Sequence, residues 1–329
     1  MEEINIEYHR PIFHRRVLAN LIDAMLFALI FVLLFLGLKS VVESSKPYLR
    51  ARDHVQTVQR DSGLYGEKNG RYYDVVSLYK EDTKLTASQH KQKLTEAIDS
   101  FITYLDRSVS AEISAKVQTD YDEYRLGDKM VYEDVPCFIL VDGSVRENPE
   151  CQLSYQRYTD EIYAPYIDRQ CQGFLVTEIP GVRSDTRFMS NMLVFVELPV
   201  SFIIAALLVY MVPPFIFKRG RRTIGKAIYK IGLVDSRCLN VRVGRTIARF
   251  SIFIFGILFL SMLTLGIPMI ISFSMMAFSK SRQGFPDYML NLNEVDISDV
   301  KVYNSLDEIA VEKAQEQEKA PDFKMKERL

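Results

Sequence analysis

Between Val17 and Leu38 lie 22 residues with a single ionisable side chain, Asp23, and two arginines, Arg15 and Arg16, lead into them. At ~1.5 Å per residue a helix over this run is about 33 Å long, enough to cover a hydrocarbon core of ~30 Å and more than an ordinary buried helix needs. The run therefore predicts a membrane-spanning helix, and the rest of the chain must fold around it. A carboxylate at the depth of Asp23 costs roughly 2–3 kcal/mol on insertion scales, so it is expected to face protein rather than lipid. Arg16, Asn20 and Asp23 fall at i, i+4 and i+7 on one stripe, and Ala19 keeps the flank of Asp23 thin. Such a stripe is a surface for intramembrane contact.

The hydrophobic share of 48% in 329 residues hides a strong segregation. Two further apolar runs stand out: 192–217, which contains Glu197 and Pro199, and 250–278, which carries no charge over 29 residues. Residues 218–249 hold ten Lys or Arg against one acid, Asp235, whereas residues 39–188 hold 20 basic and 25 acidic residues. Positive charge flanking membrane helices stays in the cytoplasm, so residues 1–16 and 218–249 are expected inside and residues 39–188 outside. The first run has no A-x-A-like cleavage site after it and exceeds a usual signal-peptide core, so it is expected to remain as an anchor. The fold class that follows is an α-helical multi-pass membrane protein with three apolar segments and a mainly α-helical extracytoplasmic domain.

That domain, 39–188, is long enough to bury its own core. Helical periodicity continues from Val41 to Leu64 with a kink expected at Pro47, returns from Thr86 to Leu105 with apolar residues on one face, and again over Ser110–Tyr124 and Ser154–Cys171. Asn69-Gly70 and Asp142-Gly143 are turn signals, the first within a hairpin and the second after the strand-like CFILV. Of the four cysteines, Cys137, Cys151 and Cys171 fall in this domain, which leaves either one disulfide among them or three free thiols. Tyr155, Tyr158, Tyr163 and Tyr166 read as packing residues. The acids Asp120, Asp122 and Glu123 lack the spacing of a calcium loop and read as a solvated helix face, and no metal site is expected. His54 and His90 are isolated, with no nucleophile pattern beside them. Neither an enzyme activity, a cofactor nor a nucleic-acid partner is expected.

The segment 218–249 carries a pattern. Thr223, Gly225 and Lys226, then Val234 and Asp235, then Arg245 and Arg249 entering the last apolar run, together with Arg16, Ala19 and Asp23 in the first helix, resemble the RDD family of bacterial membrane proteins. The second aspartate of that family is matched by Asp287, where the usual Leu-His-Asp triplet reads Phe285, Pro286, Asp287. The resemblance covers about residues 10–38 and 190–295 and leaves the large domain as an insertion. The T-x-G-K element lacks the first glycine of a phosphate loop, so the basic residues are read as contacts to anionic lipid headgroups.

Glu197 is expected at the outer interface, near the start of the second helix. The third run would be ~43 Å long as one helix, and Gly266 and Pro268 divide it, so it is either one tilted helix or a broken pair. If broken, it returns Asp287 to the cytoplasmic side beside Arg16, making one cluster with Asp23. Residues 279–329 are polar, with a short amphipathic piece and a tail. What the resemblance and the charged stripe imply is cation or proton-coupled transport by a homo-oligomer. The alternative is a membrane-anchored sensor or assembly factor whose outer domain binds a partner.

Overall fold

The first apolar run lies within a single helix, Phe13–Glu43, whose burial is inverted relative to a soluble protein. Its buried residues are Arg16, Ala19 and Asp23, while Leu21, Met25, Leu29, Leu33 and Leu36 are exposed. The acid and arginine of this helix turn inward and its leucines outward, so its exposed face is apolar. The structure, a computed structural model, describes residues 8–80, 82, 84–127, 130–280, 282–298 and 300–319. It is mostly helical, and among the described residues two helices are long and apolar enough to cross a membrane, Phe13–Glu43 and Val182–Ile216.

The second of these begins ten residues before the apolar run does. Gly181 adopts φ +84°, a left-handed conformation that a side chain would strain, and the helix starts immediately after it at Val182. Glu197 is therefore not at a helix start, as expected from Pro199, but inside a continuous helix, and it is buried. The chain divides into two units by its internal contacts: Ser40–Val196, and the residues up to Lys39 together with those from Glu197 onward.

In the unit Ser40–Val196, the expected kink at Pro47 is a full break. The first helix ends at Glu43, and a new helix, Lys46–Asp61, places Pro47 in its first turn, where proline costs nothing. Thr86 caps the helix Ala87–Ser108 through a capping box with Gln89. That helix buries Leu94, Ile98, Phe101 and Leu105 against Val117 and Tyr121 of Ala111–Leu126 and against Tyr158, Ile162, Tyr163 and Tyr166. Of the four tyrosines, Tyr155 alone is exposed. Hairpins form at both turn signals. Tyr65–Lys68 pairs with Arg71–Asp74 around Asn69 and Gly70 (φ +54° and +73°), and Phe138–Val141 pairs with Ser144–Glu147 around Asp142 and Gly143 (φ +51° and +76°). Cys137, Cys151 and Cys171 are buried and free, so the disulfide considered from sequence is not formed. Burial, followed by a hydrogen bond with Cys151, pushes the Cys137 thiol up to about 12. Asp122 pairs with Arg125, and Asp120 accepts from the Tyr166 hydroxyl at 3.2 Å.

In the other unit, the third apolar run is broken. Leu265 and Gly266 take φ +51° and +90°, which separates a helical segment over 243–263 from Ile267–Phe278. Phe273 of the second half meets Phe13 edge-on at 6.2 Å, so the half-helix returns to the start of the first helix. The segment 218–249, read from sequence as a loop, contains the short helix Ile224–Ile228 and the buried strand Ile231–Val234. That strand pairs antiparallel with Asn293–Asp296, setting Leu233 opposite Glu294 and Ile231 opposite Asp296. A helix, Leu306–Lys319, follows, and the remainder of the expected tail lies outside the described residues.

Candidate functional site

Asp23 meets the short helix Ile224–Ile228 end-on. Its Oδ2 accepts from the Thr223 hydroxyl at 2.5 Å and its Oδ1 from the Gly225 backbone N–H at 2.7 Å. Thr223 is the cap residue of that helix, so the carboxylate satisfies a donor at the positive end of the helix dipole. The contact is possible because position 225 has no side chain. A Cβ there would lie 2.0 Å from the backbone oxygen of Ala19 and 3.0 Å from Cγ of Asp23. Threonine for the hydroxyl, glycine for the approach and lysine for the next pair give the T-x-G-K spacing a purely local explanation.

The next pair is Lys226 with Glu294. Nζ of Lys226 lies 2.5 Å from Oε1 of Glu294, and Nε of Arg16 donates to Oε2 of the same carboxylate. All three side chains are buried. Burial opposes ionisation of Glu294, but Lys226 and Arg16 outweigh it and hold the carboxyl down at about 2. One turn of strand further, Arg15 bonds Asp296 at 2.5 Å and the Tyr229 carbonyl at 2.6 Å. Adjacent arginines on the helix are thus matched to alternate acids on the strand.

Asp287 is buried and makes a bidentate pair with Arg249, at 2.5 Å to Nε and 3.1 Å to Nη2. The sequence reading paired Asp287 with Arg16, and the structure corrects this. The short helix Phe285–Met289 turns Asp287 toward Arg249, while the ladder between Ile231–Val234 and Asn293–Asp296 carries Glu294 into the space between Lys226 and Arg16. Glu294 was missed because its strand pairs with one about 60 residues earlier, a contact that no local pattern announces. The arginine pair at 15–16 and the alternate acids at 294 and 296 were the signal available.

Arg16, Asn20, Asp23, Arg249, Asp287 and Glu294 all line one cavity of about 360 Å³, so the four cluster residues expected from sequence do share a site. Asn20 reaches it with a weak contact to Sδ of Met276 at 3.8 Å. Asp235 does not take part. Its carboxylate accepts from the N–H groups of Arg237 and Leu239, fixing the turn after Ile231–Val234. Arg245 is exposed on its helix, outside the cluster.

Comparison with family models matches residues 175–291 to the RDD family. The chain carries an RDD domain. The match includes Thr223, Gly225, Lys226, Arg249 and Asp287. Arg16, Asp23 and Glu294 lie outside the matched residues, and the fold brings them to the RDD segment. Comparison with curated proteins and with solved structures gave no match.

Proposed function

We propose that this RDD protein moves a cation or proton across the cell membrane, through the cavity that Asp23, Asp287 and Glu294 share with Arg16 and Arg249. The observation that carries the reading is the company of Asp23. Asp287 and Glu294 are each bonded directly to a guanidinium, whereas the hydrogen-bond donors on Asp23 are a hydroxyl and an amide. A carboxylate held by uncharged donors among apolar helices is the member of the set able to exchange a proton or cation at least cost. In this reading the protein is multi-pass, with its N-terminus, the basic segment 218–249 and the C-terminal helix on the cytoplasmic side near anionic headgroups. Few spans belong to one chain, so a homo-oligomer encloses the path. Reconstituted protein tests it: the wild type dissipates an imposed proton or sodium gradient and Asp23→Asn does not, while an inert wild type under both gradients removes the reading.

A second reading is favoured by the self-contained core of the unit Ser40–Val196, which includes Leu94, Phe101, Tyr163 and Tyr166. There the protein is a membrane-anchored sensor or assembly factor, and that unit, outside the membrane, binds a partner. A fragment from Lys46 to Arg187 that fails to fold alone counts against it.

A further inference from the structure

The cavity beside Asp23 has a wall that the ion pairs do not use. Phe27, Tyr210 and Phe253 line it together, with ring centroids 5.9 Å apart for Phe27 and Tyr210 and 4.8 Å apart for Tyr210 and Phe253. Beyond the rings the lining is apolar, with Ile257, Met269 and Phe273. We propose that this cavity binds an organic cation: an ammonium group, seated between Asp23 and the three rings, carried on an apolar body that occupies the deeper part. The proposal assigns a substrate class to the site described above and rests on the transport reading for the movement of that substrate.

Two observations select this chemistry. Asp287 and Glu294 are already occupied by basic partners, which leaves Asp23, held by neutral donors, as the contact for a charge. The rings of Phe27, Tyr210 and Phe253 share the lining with Asp23, and ring faces suit a weakly hydrated ammonium. The volume of about 360 Å³ lies within the ~300–1,000 Å³ of small-molecule sites. An ammonium on an apolar body can be a free amphiphilic amine or the headgroup of an aminophospholipid.

Equilibrium binding of radiolabelled benzyltrimethylammonium to the full-length protein in phosphatidylglycerol vesicles, with protein-free vesicles subtracted, tests the proposal. Saturable binding is expected, and an equal concentration of the neutral isostere neopentylbenzene does not displace it. Asp23→Asn weakens binding about tenfold or more, as loss of a desolvated charge contact does. Asp23 also caps a helix, so Phe27→Leu and Phe253→Leu, which keep apolar bulk, provide the independent check: each lowers affinity about two- to fivefold through the lost ring face. With phosphatidylethanolamine added to the vesicles, displacement of the probe assigns the site to a lipid headgroup, and undisturbed binding assigns it to a free amine. Absence of saturable binding overturns the proposal, as does equal displacement by neopentylbenzene. Amine binding without ion flux removes transport and leaves the site; flux without amine binding does the reverse.

Discussion

The backbone N–H of Gly225 donates to Oδ1 of Asp23 at 2.7 Å, joining positions 202 residues apart in the chain. This contact fixes the short helix Ile224–Ile228 against the helix Phe13–Glu43, and the missing side chain at 225 is what permits it.

Gly225→Ala is expected to lower stability by about 1–3 kcal/mol or more, because a Cβ 2.0 Å from the Ala19 backbone oxygen forces the two segments apart. Gly244→Ala is the control, since a Cβ there meets nothing within 4 Å. Thermal unfolding of the two purified variants should separate clearly, and equal midpoints would show that the close approach is not required.

Glu294 titrates below its ordinary value of 4.5, at about 2, because Lys226 and Arg16 outweigh the effect of burial. A depressed carboxylate contributes stability that is complete above about pH 4.5 and is lost as pH falls toward 2. Glu294→Gln should be less stable near neutral pH by ~3–5 kcal/mol, since it leaves two buried cations short of a counter-charge. It should also lose less of its remaining stability over the acid window. Melting curves followed against pH check this, and parallel profiles for the two proteins would contradict it.

Pair assignments are read from double-mutant cycles. Arg249→Ala with Asp287→Ala should be far less harmful than the sum of the singles, because the bidentate pair vanishes as a unit. The same holds for Arg16→Ala with Glu294→Ala. Arg16 with Asp287 should be closer to additive, and a coupling there as large as in the other two cycles would restore the pairing expected from sequence.

In the unit Ser40–Val196, Cys151 lies close enough to Cys137 to affect its titration, whereas Cys171 lies near Asp120 and Tyr166. A diffusible disulfide oxidant should therefore link Cys137 to Cys151 and leave Cys171 reduced, once local opening exposes the buried thiols. Peptide mapping by mass spectrometry decides, and a bridge that includes Cys171 would be inconsistent with this packing.

Much of the local architecture was legible. The 22-residue run with one acid announced the first helix, Asn69-Gly70 announced a hairpin, Asp142-Gly143 a turn after a strand, and the apolar periodicity over 86–105 a helix. Boundaries set by backbone geometry were not. The second long helix starts at Val182 because Gly181 turns the chain there, well before the apolar run that drew attention. Within the site, the stripe Arg16, Asn20, Asp23 was readable from spacing, since one helix carries all three. Glu294 was hidden, because it reaches the cluster only through a strand pairing with Ile231–Val234, about 60 residues earlier. The role of Gly225 also needed three dimensions, as its requirement comes from the backbone of another helix.

Ion flux through proteoliposomes measures the central claim most directly. Vesicles carrying the wild-type protein should collapse an imposed proton or sodium gradient, and vesicles carrying Asp23→Asn, at equal protein content and with the same melting midpoint, should hold it. Wild-type vesicles as tight as protein-free ones under both gradients, or an Asp23→Asn variant as leaky as the wild type, would contradict the account.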